Sequence, residues 1–175
     1  MKKYPVLVAV LALSAALLAE EAKKAPAPQS SGATRDVAVL PVTAAKITAP
    51  LALKEGAIGQ PEQTELADGG KATFEFTVPT KGDYLIYGVV SAPGEESNSF
   101  FINVDAAPQD PLGIWDFDVT NGFEERVVSW RGSGSPEEDE FKPKVFNLTA
   151  GAHKIFLVGR EPAQLKSLIV RPATK

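Results

Sequence analysis

Short apolar runs with a period of two residues dominate the chain from Asp36 onward. The clearest is KATFEFTVP at residues 71–79, in which Phe74, Phe76 and Val78 alternate with polar residues. A period of two places successive side chains on opposite faces of a β-strand, so this stretch predicts a strand with one buried and one wet face. Runs of this length, bounded by Gly, Pro, Asn and Asp, are typical of an all-β sandwich or barrel.

About ten short strands can be assigned in this way, and no amphipathic helix pattern follows the N-terminal segment. The predicted strands cover residues 37–42, 47–53, 71–79, 84–90, 100–104, 112–118, 125–130, 144–148, 153–158 and 165–171. Residues 84–90 are apolar on both faces, which indicates a central strand. We therefore expect an all-β fold, a two-sheet antiparallel β-sandwich of jelly-roll type.

The N-terminus carries the pattern of a signal peptide, expected to be helical. Lys2 and Lys3 precede an apolar run at residues 5–19, and a polar stretch follows. The run has about 15 residues, whereas a membrane-spanning helix needs about 20. We expect export to the periplasm or the outside of the cell, cleavage after Ala19 with Ala16 as the second choice, and no membrane insertion afterwards. An uncleaved anchor is the alternative.

The composition changes twice along the chain, which predicts three segments. Residues 1–19 are the signal peptide. Residues 20–35, EEAKKAPAPQSSGATR, are rich in Pro, Ala, Ser and charge, as in a flexible linker. Residues 36–175 form the β-sandwich domain.

Charge and cysteine content exclude several classes of function. The chain has no cysteine, so it has neither disulfides nor a thiolate metal site. Its formal net charge is −4, and it becomes more negative once Lys2 and Lys3 are removed. Nucleic acid is therefore not an expected partner, and a strongly anionic polysaccharide would be repelled unless a basic patch or a bound cation intervened.

The residues that usually carry catalysis are sparse. His153 is the single histidine and has no second histidine or serine motif beside it, so we interpret it as structural. Asp116 and Asp118 alternate along a predicted strand, near Glu124 and Glu125, and a glycosidase needs two such carboxyls about 5–10 Å apart. We interpret them as solvated carboxylates and predict no catalytic and no metal site, with a polysaccharide-cleaving enzyme as an alternative.

The requirements of sugar binding are better met. A sugar ring packs its C–H face on a flat aromatic side chain, and its hydroxyls bond to Asn, Asp, Glu or Arg. The predicted ligand-binding residues are Asn98, Trp115, Asp116, Trp130, Arg160 and Glu161. Trp115 and Trp130 would be the stacking platforms, with core packing as the alternative for each. Arg160 and Glu161 would bind hydroxyls or, alternatively, form a structural ion pair.

Several motifs of the chain resemble a known family. They are Asn98-Ser99-Phe100-Phe101 leading to Val104-Asp105, the turn Ala150-Gly151-Ala152-His153, and Arg160-Glu161 followed by the strand at residues 165–170. Together they closely resemble the β-sandwich carbohydrate-binding modules of the galactose-binding-like superfamily, especially families six and thirty-five. The likeness spans roughly residues 40 to 171.

The resemblance implies a structural calcium ion, which this family binds through carboxylates of the opening and final strands. The matching positions here hold Pro41, Val42 and Thr43 at the opening and Lys166-Ser167 near the end. Because calcium needs six to eight oxygen ligands, we expect no cofactor, although a retained calcium ion stays an alternative. The family also places an aromatic residue of its sugar cleft in the loop after the second strand, and residues 54–70 contain none.

Together, these features predict a secreted, non-catalytic carbohydrate-binding module that recognises a polysaccharide by aromatic stacking and polar loop contacts. The expected partner is a polysaccharide or other glycan, accompanied by a separate exported enzyme or envelope protein. The alternative is a structural or protein-interaction β-sandwich of the cell envelope with no sugar ligand.

Overall fold

The computed structural model describes residues 35–131 and 141–173. These residues form twelve β-strands and two 3-10 turns, at Val42–Ala44 and Glu95–Ser97. The strands are β1 Ala38–Pro41, β2 Lys46–Ile47, β3 Ala52–Lys54, β4 Ala57–Gly59, β5 Lys71–Val78, β6 Gly82–Ser91, β7 Ser99–Val104, β8 Ile114–Asp116, β9 Glu124–Val127, β10 Phe146–Leu148, β11 Gly151–Gly159 and β12 Gln164–Pro172. The predicted signal peptide, most of the predicted linker and the acidic run at residues 137–140 lie outside the described residues.

The described strands assemble into two antiparallel sheets. A seven-stranded sheet has the order β10-β6-β12-β4-β3, with β1 also paired to β12 and β9 also paired to β6. A five-stranded sheet has the order β2-β5-β11-β7-β8. The predicted all-β, two-sheet antiparallel fold is confirmed.

The main core lies between the two sheets. From the five-stranded sheet, Phe74, Phe76 and Val78 of β5 are buried, as their period-two spacing predicts. From the seven-stranded sheet, β6 contributes Ile86 and Val90, which are both fully buried. Leu85, Tyr87 and Val89 of β6 face the other way and are half-buried, in keeping with the central place of this strand in its sheet.

A smaller apolar cluster covers the outer face of the five-stranded sheet. Phe101, Ile114 and Val158 are buried there, and Leu66 of the segment between β4 and β5 packs against them. Phe101 thus points away from the main core, as its alternation with Phe100 predicts, and it is nevertheless 1% exposed. β7 therefore buries apolar side chains on both of its faces, Phe100 and Ile102 on one and Phe101 on the other.

The strand predicted at residues 47–53 is wrong. The chain leaves the five-stranded sheet at the end of β2 and joins the seven-stranded sheet at β3, so the stretch supplies two strands to two sheets. Glu55 and Gly56 then form a two-residue hairpin turn, with φ angles of 51° and 79°. This turn leads into β4, which the sequence pattern did not predict because the strand has only three residues.

Candidate functional site

Trp115 does not present its indole ring to solvent. It lies in β8 with 0% exposure, and its Nε1 donates a hydrogen bond to the Val127 carbonyl at 2.9 Å. Phe117 packs against it with ring centroids 4.9 Å apart, and Phe100 with centroids 6.1 Å apart. The prediction of Trp115 as a stacking platform is therefore wrong, because the ring is enclosed by the core on all sides.

Trp130 is half-buried and also serves packing. Its Nε1 donates to the Ile102 carbonyl at 3.1 Å, and it meets the Phe146 ring edge-on at a centroid distance of 6.0 Å. The Lys144 ammonium lies 4.0 Å from the centre of the indole ring. Trp130 does not line the concavity described next, so the structure does not bring it together with the other predicted residues.

The other four predicted residues line one open concavity of about 620 Å³, a size that suits a small ligand or part of a chain. They are Asn98, Asp116, Arg160 and Glu161. Sequence reasoning missed five further lining residues as ligand contacts, and these are Glu95, Asp118, Val119, Arg131 and Phe141. We refer to the space lined by these nine residues as the concavity.

The concavity is built by connections between strands. Glu95 and Asn98 come from the β6–β7 connection, and Asp118 and Val119 from the β8–β9 connection. The β9–β10 connection and the β11–β12 connection supply the remaining lining residues apart from Asp116, which ends β8. Strand pairing brings these connections to the same place although they are up to about 60 residues apart in sequence, as illustrated by the Ser99–Arg160 hydrogen bond with a separation of 61 residues.

A bidentate ion pair forms one part of the wall. Arg131 donates from Nε to Oδ2 of Asp116 at 2.8 Å and from Nη2 to Oδ1 at 2.5 Å. The Asp116 side chain is 2% exposed, while the Arg131 side chain is 25% exposed. Because both carboxylate oxygens accept a charge-assisted hydrogen bond, this pair fixes its side chains in one geometry.

A second ion pair, Arg160 with Glu161, lies next to the first. Arg160 also donates from Nη1 to the Ser99 hydroxyl at 2.7 Å, and Oε2 of Glu161 accepts the backbone N–H of Asn98 at 3.0 Å. Ser99, which accepts this hydrogen bond from Arg160, lies directly opposite Asp116 in the β7–β8 ladder. Strand pairing therefore holds the two ion pairs next to each other. Arg160 and Glu161 thus form the structural ion pair that was the alternative to hydroxyl binding. Both side chains also line the concavity.

The charges around the concavity are unequal. Among the described residues, four carboxylates and two guanidinium groups line it, and Arg131 pairs with Asp116 while Arg160 pairs with Glu161. Glu95 and Asp118 are exposed and form no ion pair within the described part of the chain. The mouth of the concavity is therefore negative.

The concavity has its own exposed aromatic residue. Phe141 is 51% exposed, and the apolar Val119, which lines the same concavity, is 47% exposed. A flat, accessible ring beside fixed polar groups is the combination that a sugar ring requires. The only sequence signal for Phe141 was its isolation, because it stands in a charged and Pro-containing stretch without apolar alternation.

His153 lies elsewhere, and both of its ring nitrogens are engaged. Nε2 donates to the Thr149 carbonyl at 2.8 Å, and Nδ1 lies 2.6 Å from Oδ2 of Asp105. Within residues 35–131 and 141–173, no group of three or more His, Asp or Glu side chains is placed to hold a metal ion. Nor does any helix of this part of the chain have the length and apolarity to cross a membrane.

Comparison with known proteins shows a likeness at the level of the fold. No protein-family model matches the chain, and no curated protein matches it. Among solved structures, a family 35 carbohydrate-binding module from Clostridium thermocellum superposes with a TM-score of 0.55 at 15% identity, over 78% of this chain and 98% of that module.

Two other solved structures have a similar fold. The C-terminal family 6 carbohydrate-binding module of LamC, a laminarinase from Zobellia galactanivorans, gives a TM-score of 0.52 at 13% identity, over 77% of this chain and 98% of that chain. A Podospora anserina β-(1,4)-mannanase with a family 35 module gives 0.51 at 15% identity, over 81% of this chain and 29% of that chain. The domain thus shares its two-sheet antiparallel β-sandwich fold with these carbohydrate-binding modules.

Proposed function

We propose that this domain binds a glycan chain in the concavity, by stacking of a sugar ring on Phe141 and by hydrogen bonds from the surrounding loops. The observation that carries the proposal is the convergence of Asn98, Asp116, Arg160 and Glu161, with an exposed aromatic ring, on one concavity. The fold, shared with carbohydrate-binding modules, supports the same assignment.

The two ion pairs suit this role because they are held in place before any ligand arrives. Arg131 and Arg160 keep N–H groups at fixed positions, and fixed partners lose little side-chain entropy when a sugar hydroxyl binds. One stacked ring and a few hydroxyl contacts on an open surface correspond to a Kd of about 1 µM to 1 mM.

The proposal is tested by binding to a panel of neutral and charged polysaccharides, measured by retention in affinity electrophoresis. Phe141→Ala should weaken retention by about tenfold, equivalent to about 1.4 kcal/mol, without changing the Tm, because the ring is half-exposed. Leu112→Ala is the matched control, since Leu112 is 46% exposed and lies outside the concavity. Equal retention of the Phe141→Ala variant and the unmodified domain would contradict the proposal.

The module is proposed to be non-catalytic. Both oxygens of Asp116 already accept hydrogen bonds from Arg131, so this carboxylate is not available to act on a glycosidic bond. We expect no product release from the polysaccharide panel, and no change in that result for Asp116→Asn or Asp118→Asn. Release of oligosaccharides that disappears in either variant would favour the polysaccharide-cleaving alternative.

We also propose that the protein is exported, because residues 1–19 carry the pattern of a signal peptide. After export it would work together with a separate exported enzyme or envelope protein. N-terminal sequencing of the protein recovered from its producing cell tests it, and the expected mature N-terminus is Glu20. A chain that still begins at Met1 would contradict cleavage.

A protein-interaction role without sugar is the second candidate. It is favoured by the place of Trp115 in the core, because the fold gives no exposed tryptophan face for stacking in the described residues that line the concavity. Absence of retention on every glycan, together with a co-purified protein partner that Phe141→Ala releases, would support this candidate.

A further inference from the structure

The charge distribution around the concavity points to a ligand class narrower than glycans in general. Its two cations are each matched by a nearly buried carboxylate, with side-chain exposures of 2% for Asp116 and 9% for Glu161. These pairs cancel at short range, so neither guanidinium offers an unopposed positive charge to an anionic sugar.

The remaining charges of the lining are both negative. Glu95 and Asp118 are exposed, come from two different connections, and make no ion pair within residues 35–131 and 141–173. A carboxylate at the mouth of a concave site repels a uronic acid or a sulfated sugar, and it attracts a protonated amine. The net negative charge of the whole chain acts in the same direction.

We infer that the concavity prefers glycans that carry free, protonated amino groups, such as β-1,4-linked glucosamine oligomers, over neutral and anionic glycans. This inference rests on the proposed function. In the bound state an ammonium group would lie beside the carboxylates of Glu95 and Asp118, while the sugar ring stacks on Phe141. The gain in affinity from the ammonium group is modest, because the carboxylates of Glu95 and Asp118 face solvent.

The test uses two oligomers that share a backbone and differ only at the amine. Hexamers of glucosamine and of N-acetylglucosamine are titrated into the purified protein by calorimetry, with a galacturonic acid hexamer as the anionic probe. The titrations are run at about pH 5.5, which is above the ordinary pKa values of free carboxyl side chains and acidic enough to keep the amino groups of the probe protonated. The glucosamine hexamer should bind about fivefold more tightly than its acetylated counterpart at low salt, and the ratio should decrease as salt is added.

A double variant assigns the preference to the concavity. Glu95→Gln with Asp118→Asn should bring the ratio of the two affinities close to one. Glu55→Gln with Glu75→Gln removes the same charge from residues outside the concavity and should preserve the ratio. A ratio that decreases equally in both double variants would overturn the inference, because it would reflect the net charge of the protein only.

The outcomes separate the inference from the proposed function. If the acetylated hexamer or a neutral polysaccharide binds and the amine gives no advantage, the inference fails and glycan binding in the concavity stands. If the galacturonic acid hexamer binds most tightly, the inference fails in the same way. If no glycan of any charge binds, the proposed function fails and the inference fails with it.

Discussion

The six-membered ring of Trp115 packs on the backbone of Gly88. A β-carbon at position 88 would lie 2.4 Å from Cη2 of Trp115 and 3.0 Å from Cδ1 of Leu165. Gly88 occupies an inward-facing position of β6 between the buried Ile86 and Val90, so the missing side chain is what leaves room for the indole. This contact joins β6 of the seven-stranded sheet to β8, the edge strand of the five-stranded sheet.

Gly88→Ala should therefore destabilise the domain by about 1–3 kcal/mol, because a methyl group cannot enter this contact without displacing the indole ring. The measurement is the free energy of unfolding in urea. Gly82→Ala is the matched control on the same strand, since a β-carbon there meets only Cε2 of Tyr84, at an ordinary 3.8 Å. Equal effects of the two substitutions would show that strand propensity, and not the indole contact, dominates.

Trp115→Ala should cost about 3–5 kcal/mol of stability, because it removes a fully buried indole and leaves a cavity between the sheets. Thermal unfolding followed by circular dichroism reports the loss. If the variant had the same Tm as the unmodified domain but no longer bound glycans, Trp115 would be a ligand contact and its place in the core would be contradicted.

Arg131→Met should destabilise the domain by about 2–4 kcal/mol, because it leaves the carboxylate of Asp116 buried without its bidentate partner. Combining it with Asp116→Asn should recover part of this loss, since the remaining buried group is then neutral. Urea unfolding of both variants measures the difference. Lys46→Met, which breaks a solvent-exposed pair with Glu75, should leave the unfolding midpoint unchanged.

Stability should decrease as the pH rises through the titration of His153. Burial alone would lower the pKa of His153, but the hydrogen bonds with Asp105 and the Thr149 carbonyl and the charge of Asp105 outweigh it, so the pKa is raised above 6.5. A raised pKa in the folded state means that the stabilisation is fully present below the unfolded pKa and is lost above the folded one. Urea unfolding from about pH 5.5 to about pH 8.5 covers this window.

Because His153 is the single histidine of the chain, its NMR titration reports the pKa directly. Asp105→Asn is the matched variant, since Asn tolerates the positive φ of 58° at this position. It should lower the pKa of His153 and flatten the dependence of stability on pH. A titration unaffected by Asp105→Asn would assign the raised pKa of His153 to its hydrogen bond with the Thr149 carbonyl instead.

Gln60→Met should loosen the segment between β4 and β5. Gln60 is 5% exposed, its Nε2 donates to the Thr64 hydroxyl at 2.8 Å and to the Glu62 carbonyl at 2.9 Å, and its Oε1 accepts the Gly70 N–H at 3.3 Å. Loss of these buried hydrogen bonds should cost about 1–3 kcal/mol and accelerate hydrogen exchange of the Gly70 amide. Unchanged exchange at Gly70 would show that packing alone holds the segment.

The alternation of apolar residues determined the strands and the class of fold. Phe74, Phe76 and Val78 were assigned to the core from spacing alone, and the structure places them there. This is possible because a period of two is a local property, and each strand of a two-sheet sandwich must bury one face whatever its neighbours are. The same alternation contains Gly88, which interrupts the row of inward-facing side chains on β6 and leaves the space that the indole ring of Trp115 occupies.

The tertiary structure alone decided which tryptophan is buried and which loops meet. Trp115 and Phe141 both stand in stretches of mixed polarity, yet β7–β8 pairing carries Trp115 inward while Phe141 remains exposed beside the ends of other strands. The concavity depends on contacts between residues as far apart as Asn98 and Glu161, which no local period encodes. Strand order in the two sheets fixes those contacts, and strand order follows from packing of the whole core.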